Sequence, residues 1–219
     1  MKEQISTIYR NRFSDDFNKR EKVWQWLVQY YFQKYVPLES VVCEIAAGYC
    51  HFINNIKATA KIAVDINPDV KKFAADDVKT IVSSASHIRG INKNSVDVIF
   101  ISNFFEHIPK DEIIKVLQSA NSLLKENGKI IILQPNIKYA YKEYWSFFDH
   151  ITPLDEESLV EVLTLCHFNI LKVKSRFLPY SMKSKLPKWK ILIYVFLKLE
   201  FAQRMFGKQA LVIAEKSRI

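Results

Sequence analysis

The chain reads as an α/β protein, a seven-stranded and mostly parallel sheet with helices on both faces. Three observations predict this. Short apolar runs alternate with amphipathic segments through most of the 219 residues, the pattern of strands joined by crossover helices. One run, "SVDVIFIS" (95–102), is almost continuously apolar, as a strand covered on both faces must be. The first apolar run leads into Ala46, Ala47 and Gly48, small residues of the kind that let a backbone approach a ligand beyond the carboxyl end of a strand.

The elements follow in order. Val23, Trp26, Leu27, Tyr30 and Tyr31 have helical spacing within residues 15–35, and Pro37 closes that helix. "SVVCEI" (40–45) is a buried strand, "HFINNIKATA" (51–60) a short helix, "KIAVDI" (61–66) a second strand, and "NPDVKKFA" (67–74) a turn into a helix. "KTIVSSA" (79–85) is the third strand and "SVDVIFIS" the fourth. "KDEIIKVLQSANSLLKEN" (110–127) is an amphipathic helix with Gly128 as its C′ glycine. "KIIILQP" (129–135) is the fifth strand, and "DEESLVEVLTLC" (155–166) a helix whose acidic first turn suits the helix dipole. "FNILKVKSRF" (168–177) and "QALVIAEK" (209–216) complete the seven strands. Residues 178–207 break the rhythm as a basic helical insertion before the last strand. "LPYSMKSKLPKWK" is proline-broken, and "ILIYVFLKLEFAQRMF" is helical up to Gly207.

Composition narrows the class. With 49% hydrophobic residues, a chain of this length buries a substantial core without disulfides or metals. Cys43, Cys50 and Cys166 are isolated and form no CxxC pair, which points to a reducing compartment and away from structural zinc. The charged N-terminus has no apolar signal region, and the run at 191–197 is too short to span a bilayer. The expectation is a cytoplasmic protein, with a membrane-peripheral variant of that reading. The net charge of +9 is local: residues 172–208 hold ten Lys or Arg and one acid, and the remainder holds 22 of each sign.

The loop after the first strand carries the functional question. Glu44 ends that strand, and Asp65 ends the second, about 20 residues beyond the loop, where such folds place a ribose acceptor. A close-packed strand–helix junction is the competing reading. A carboxylate at Glu44 repels a pyrophosphate and attracts a cation, so the residues favour a nucleoside with a positive end.

"VVCEIAAGYCHFI", "AVDINPD", "SVDVIFISNFFEHIP" and "LKENGKIIILQPN" resemble four successive motifs of the class I S-adenosylmethionine-dependent methyltransferases, over about residues 40–136. "QPNIKYAYKEYWSFFDHITPL", "RFLPY" and "FGKQALVIA" also resemble a small bacterial subgroup associated with glycan and surface-polysaccharide biosynthesis. The resemblance implies a Rossmann-like single domain over 1–219: an N-terminal helical lid (1–37), a cofactor-binding core (38–136), and a substrate-side region (137–219) with the basic 178–207 insertion. It implies S-adenosylmethionine as cofactor. Glu44 then faces the methionine amino group, and Ala46, Gly48 and Cys50 form the loop under the methionine and ribose. Asp65 takes the ribose hydroxyls, with Ile66 and Asn67 beside the adenine. Ala85, in "SSAS" (83–86), stands near the adenine amino group, where this stretch offers only hydroxyls and backbone. Asn103 and Phe104 stand at the methyl end, and Tyr9 and Arg12 contact the cofactor from the lid. The family's loop glycines are replaced at Ala46 and Cys50, and a left-handed Cys50 carries about 1–2 kcal/mol of strain.

Methyl transfer needs donor and acceptor held in line, and a hydroxyl acceptor also needs its proton removed. Two pairs suit that task. Glu106–His107 follows the fourth strand, with a capping or cofactor-wall role as its competitor. Asp149–His150 lies among Tyr139, Tyr141, Tyr144, Trp145, Phe147 and Phe148, aromatic faces suited to a sugar ring, with a structural Asp–His bond as its competitor. No His, Asp or Glu cluster shows metal-ligand spacing, so no metal is expected. The basic segment reads first as a solvated lysine-rich face. Its second reading is a site for a phosphate-bearing or lipid-linked substrate or an anionic membrane, and nucleic acid comes last. The expected activity is O-methylation of a sugar, glycan or other small hydroxyl acceptor. The rivals are a nicotinamide-dependent reductase, a catalytically degenerate binding protein on the same fold, and an RNA or DNA methyltransferase.

Overall fold

The structure is a computed structural model that describes residues 17–180 and 190–217. The chain opens with α1 (Phe17–Leu27), a π turn over Val28–Phe32 and a 3-10 turn over Gln33–Tyr35. It continues through β1 (Val41–Ile45), α2 (His51–Asn55), β2 (Ala60–Asp65), α3 (Val70–Phe73), β3 (Val78–Val82) and β4 (Val96–Ser102). A 3-10 turn (Phe105–His107) precedes α4 (Lys110–Leu123), β5 (Leu124–Pro135), α5 (Ile137–Tyr144), α6 (Glu156–Leu165) and β6 (Phe168–Leu178). The last elements are α7 (Lys190–Lys198), α8 (Glu200–Phe206) and β7 (Gln209–Lys216).

Seven strands form one sheet in the order β3-β2-β1-β4-β5-β7-β6. The first five run parallel, and β7 inserts antiparallel between β5 and β6. This is the predicted seven-stranded, Rossmann-like arrangement. The strand order reverses direction beside β1, between β2 and β4, which is the switch point where open α/β sheets bind ligands.

Period-two alternation splits the apolar side chains between two cores. Val42, Val98, Phe100, Ile131 and Leu133 face α1 and α2, while Cys43, Ile99, Ile101, Ile130 and Ile132 face α4 and α6. On the first face Phe52 stacks on Phe100, with centroids 3.8 Å apart and planes 9° apart. Phe32 and Trp24 meet the edge of the same Phe100 ring. Each such ring contributes about 1.5–3 kcal/mol by leaving water.

Four local expectations need correction. The helix from Lys110 ends at Leu123, and Gly128 lies within β5 rather than at a helix end. Asn127 takes the left-handed turn at φ 58°, and a Cβ on Gly128 would stand 2.8 Å from the Lys125 carbonyl oxygen. Trp24 is buried and Trp26 only half-buried, because Val23, Trp24, Leu27, Val28 and Tyr31 form the inward face of the helix and Trp26 lies off it. The helix after the first loop is only five residues long. The 191–206 run is two helices, broken at Leu199 in extended geometry.

The basic residues around α8 bind the chain to itself. Lys174 donates to Gln203 Oε1 at 2.8 Å, and Arg176 donates to the carbonyls of Gly207 and Met205. Lys172 donates to the Tyr35 hydroxyl, and Lys208 pairs with Glu143. Four of the ten basic residues in 172–208 thus tie this part of the chain to itself, three of them from β6. No helix among the described residues is long and apolar enough to cross a membrane.

Candidate active site

The loop between β1 and α2 keeps a glycine-like path without the glycines. Ala46, Gly48 and Cys50 have φ of 57°, 51° and 59°. The two non-glycine residues each bear about 1–2 kcal/mol of left-handed strain, a cost that functional loops retain when their surroundings hold them. The surroundings here are specific. The Gly48 amide donates to Asp65 Oδ2 at 2.8 Å, and the Ala47 amide donates to the Val64 carbonyl at 3.1 Å. Cys50 is fully buried and its thiol is pushed up by burial, so it serves packing rather than reactivity.

Two acids flank this loop. Glu44, 4% exposed, accepts the Ile53 amide from the first turn of α2 at 3.0 Å. Burial raises its carboxyl well above the ordinary range, helped by the charges of Asp65 and Glu21 and opposed by the Ile53 amide. Asp65 is also raised by burial, against the amides of Asn67, Gly48 and Ile66. Buried carboxylates in this state favour a cation beside them. A Cβ placed on Gly48 would meet no atom within 4 Å, so the loop faces open space. Ile66 follows Asp65 with half its surface exposed, and the Ser83 amide donates to the Asp65 carbonyl, which brings the 83–86 stretch and Ala85 to the same edge. Two acids, an apolar flank and open space over Gly48 fit a nucleoside with a cationic amino-acid end.

Asn103 leaves β4 in left-handed geometry at φ 48°, its amide bonded to the Leu133 carbonyl. Phe104 follows, half-buried against the α4-side core. The next turn brings the two predicted pairs into one cluster. Glu106 is buried at 1% exposure, and its Oε2 accepts from Gln134 Nε2 at 2.8 Å. His107 Nδ1 lies 3.2 Å from Asp149 Oδ2, and its Nε2 lies 3.8 Å from Glu106 Oε1. The His150 ring sits 4.9 Å from that of His107, stacked on Phe147 and edge-on to Tyr144. Backbone bonds create this convergence: the Ile151 and Thr152 amides both donate to the Glu106 carbonyl. The Tyr144 hydroxyl bonds the Thr152 carbonyl, and Thr152 Oγ1 donates to Ile108 O at 2.6 Å. Burial raises Glu106, partly offset by His107 and Gln134. For His107, burial acts downward, but the Asp149 bond and the charges of Glu106 and Asp149 outweigh it and raise the ring.

The structure therefore places Glu44, Ala46, Gly48, Cys50, Asp65, Ile66, Asn67 and Ala85 around the carboxyl ends of β1, β2 and β3, and Glu106, His107, Asp149 and His150 in one cluster after β4. Asp149 contacts His107, which makes a cross-pair of the two expected dyads. Tyr9 and Arg12 lie outside the described residues, as do residues 181–189 of the basic segment. Sequence spacing shows no metal-ligand cluster, but the fold brings three potential ligands together among the described residues. Ligand atoms of Glu106, His107 and His150 lie within 4.8 Å of one another, a grouping that sequence spacing concealed. Two supporting residues were missed. Gln134 orients Glu106, and a polar residue ending a buried strand was its signal. Glu21 takes His51 Nδ1 and Asn55 Nδ2, each at 2.6 Å, and locks α1 to α2. Phe17 packs there on Tyr49 and His51.

Comparison with known proteins agrees with this geometry. Residues 43–132 match the family described as "Methyltransferase domain". No curated protein matches the chain. Among solved structures, a SAM-dependent methyltransferase from Archaeoglobus fulgidus is 25% identical, with a TM-score of 0.68, covering 96% of this chain and 99% of that one. A SAM-dependent methyltransferase from Methanosarcina mazei is 14% identical, with a TM-score of 0.59 and coverage of 86% and 97%. Geranyl diphosphate methyltransferase in complex with SAM is 12% identical, with a TM-score of 0.62 and coverage of 90% and 85%. The last two show the fold alone. Residues 43–132 form a methyltransferase domain, and the activity this supports is S-adenosylmethionine-dependent methyl transfer. Its cofactor is S-adenosylmethionine.

Proposed function

We propose that this enzyme methylates a hydroxyl of a sugar, glycan or other small acceptor, within a single domain whose 38–136 core holds the cofactor and whose 137–219 region meets the substrate. The observation that carries the reading is the Glu106, His107, Asp149 and His150 cluster, which follows β4 and Asn103 at the carboxyl edge of the sheet. Bound S-adenosylmethionine supplies an electrophilic methyl group. Glu44 receives the cationic amino end, Asp65 receives the ribose hydroxyls, and the loop at Ala46, Gly48 and Cys50 supports both. The cluster activates the acceptor hydroxyl, which a nitrogen acceptor would not require. Tyr141, Trp145 and Phe148 are exposed beside it, Phe148 at 94%, and aromatic faces of this kind stack on the apolar face of a sugar ring. The self-fastening of Lys172, Lys174, Arg176 and Lys208 weighs against a nucleic-acid acceptor.

The test is methyl transfer from labelled S-adenosylmethionine to panels of free sugars, nucleotide sugars, lipid-linked sugars, amines and RNA. Hydroxyl-dependent transfer that falls at least 100-fold in His107→Ala supports the reading. Transfer confined to amines or RNA sinks it.

The same region bears on where the acceptor resides. Ile191, Leu192, Val195, Phe201, Met205 and Phe206 are exposed on α7 and α8, and Leu199 between them, among Lys190, Lys198 and Arg204 and directly after Lys183, Lys185, Lys188 and Trp189 in the chain. Apolar side chains interleaved with cations suit an anionic bilayer surface, consistent with a lipid-linked acceptor. Flotation with phosphatidylglycerol vesicles but not phosphatidylcholine vesicles, lost in Phe201→Ser/Phe206→Ser, is the expected result. A dimer that loses its contacts in that variant, with no flotation, overturns it.

A further inference from the structure

We infer that Glu106, His107 and His150 form a binding site for one divalent transition-metal ion, which activates the acceptor hydroxyl. One carboxylate and two imidazoles are a ligand set suited to such ions, with positions left open for substrate. Two ligand atoms each about 2.1 Å from one ion stand at most about 4.2 Å apart. The three donors lie within 4.8 Å of one another, so small side-chain rotations close the set.

The outer shell supports this reading more strongly than the distances do. A ligating histidine characteristically directs its other ring nitrogen to a carboxylate or carbonyl. His107 Nδ1 has both from Asp149, Oδ2 at 3.2 Å and the carbonyl oxygen at 3.1 Å. That contact orients the ring with Nε2 toward Glu106 Oε1. Glu106 is held in the same way: Gln134 takes Oε2 at 2.8 Å and leaves Oε1 on the histidine side. The His150 ring is fixed between Phe147, Tyr144 and His107. Glu106 and His107 are thus positioned through atoms other than the ones they offer.

The chemical role rests on the methyl-transfer reading above, whereas metal binding does not. An ion here accepts the acceptor oxygen and lowers its pKa. The hydroxyl proton passes to solvent water. The oxygen electron pair then forms the bond to the methyl carbon, and the carbon–sulfur pair stays on sulfur.

The full chain, stripped with EDTA and dialysed, is titrated with Co2+, Mn2+ and Zn2+ by calorimetry and, for Co2+, by visible absorption. The expected result is one equivalent bound at micromolar or tighter affinity. Glu106→Gln and His107→Ala should weaken binding at least 100-fold, and Asp149→Asn by about 10–100-fold. S-Adenosylhomocysteine affinity, measured separately, should be unchanged in all three and reports that they fold. No saturable binding of any of the three ions below 1 mM overturns the site, as does equal affinity in Glu106→Gln and His107→Ala. Full methyl transfer by metal-free protein in excess EDTA overturns the role while leaving the methyltransferase reading intact. Metal binding without transfer to any hydroxyl acceptor instead removes the acceptor reading and the ion's role in it.

Discussion

The Gly48 amide donates to Asp65 Oδ2 at 2.8 Å, so the carboxylate at the end of β2 also holds the turn after β1. Asp65 therefore shapes the loop, and under the proposed function it also offers acceptor capacity to the ribose. Asp65→Ala removes both. S-Adenosylhomocysteine binding should weaken more than tenfold by calorimetry, and unchanged affinity would place the ribose elsewhere.

Ala46 is strained at φ 57°, and glycine at that position relieves about 1–2 kcal/mol. Glycine also adds about 0.5–1 kcal/mol of unfolded-chain entropy. The net gain predicts that Ala46→Gly raises Tm by about 1–4 °C in calorimetry, for a protein of this size. Cys50→Gly relieves the same strain but deletes a fully buried thiol, so its Tm should rise less or fall.

Glu21 joins α1 to His51 and Asn55. Burial raises its carboxyl, but the two hydrogen bonds and the His51 charge outweigh burial and hold it below its ordinary 4.5. A depressed carboxyl stabilises the fold above its unfolded pKa and loses that contribution as pH falls through the folded value. Urea titrations of Glu21→Gln should show a stability loss of about 1 kcal/mol at pH 7, shrinking toward zero as the wild type is acidified below about pH 4.5. A loss that stays constant with pH would refute the linkage.

Phe100→Ala opens a cavity where Phe52, Phe32 and Trp24 meet. A cost of about 3–5 kcal/mol is expected in denaturant unfolding. A cost under 1 kcal/mol would mean that the stack collapses to fill the gap.

The sheet was legible because β-branched runs and their acidic ends mark strands and switch point together. Helix ends were less so. Leu123 and Leu124 continue the apolar rhythm of α4, yet Leu124 already pairs with Val96 in the sheet, and a side-chain pattern cannot register that change of backbone partner. The helix Ile137–Tyr144 was read only as an aromatic stretch, although Asn136 caps it by accepting the Lys138 amide. On the cofactor side, Glu44 and Asp65 were readable because they end strands. The His107–His150 convergence was hidden, since it depends on the Ile151 and Thr152 amides reaching one carbonyl, a bond with no residue signature.

That shared carbonyl has a wider consequence. The loop bearing His150 and the turn bearing His107 are latched together at one oxygen, so they shift as a unit unless both bonds break. Under the proposed function, variation in acceptor preference would then fall on the exposed Tyr141, Trp145 and Phe148, whose exchange leaves that latch intact.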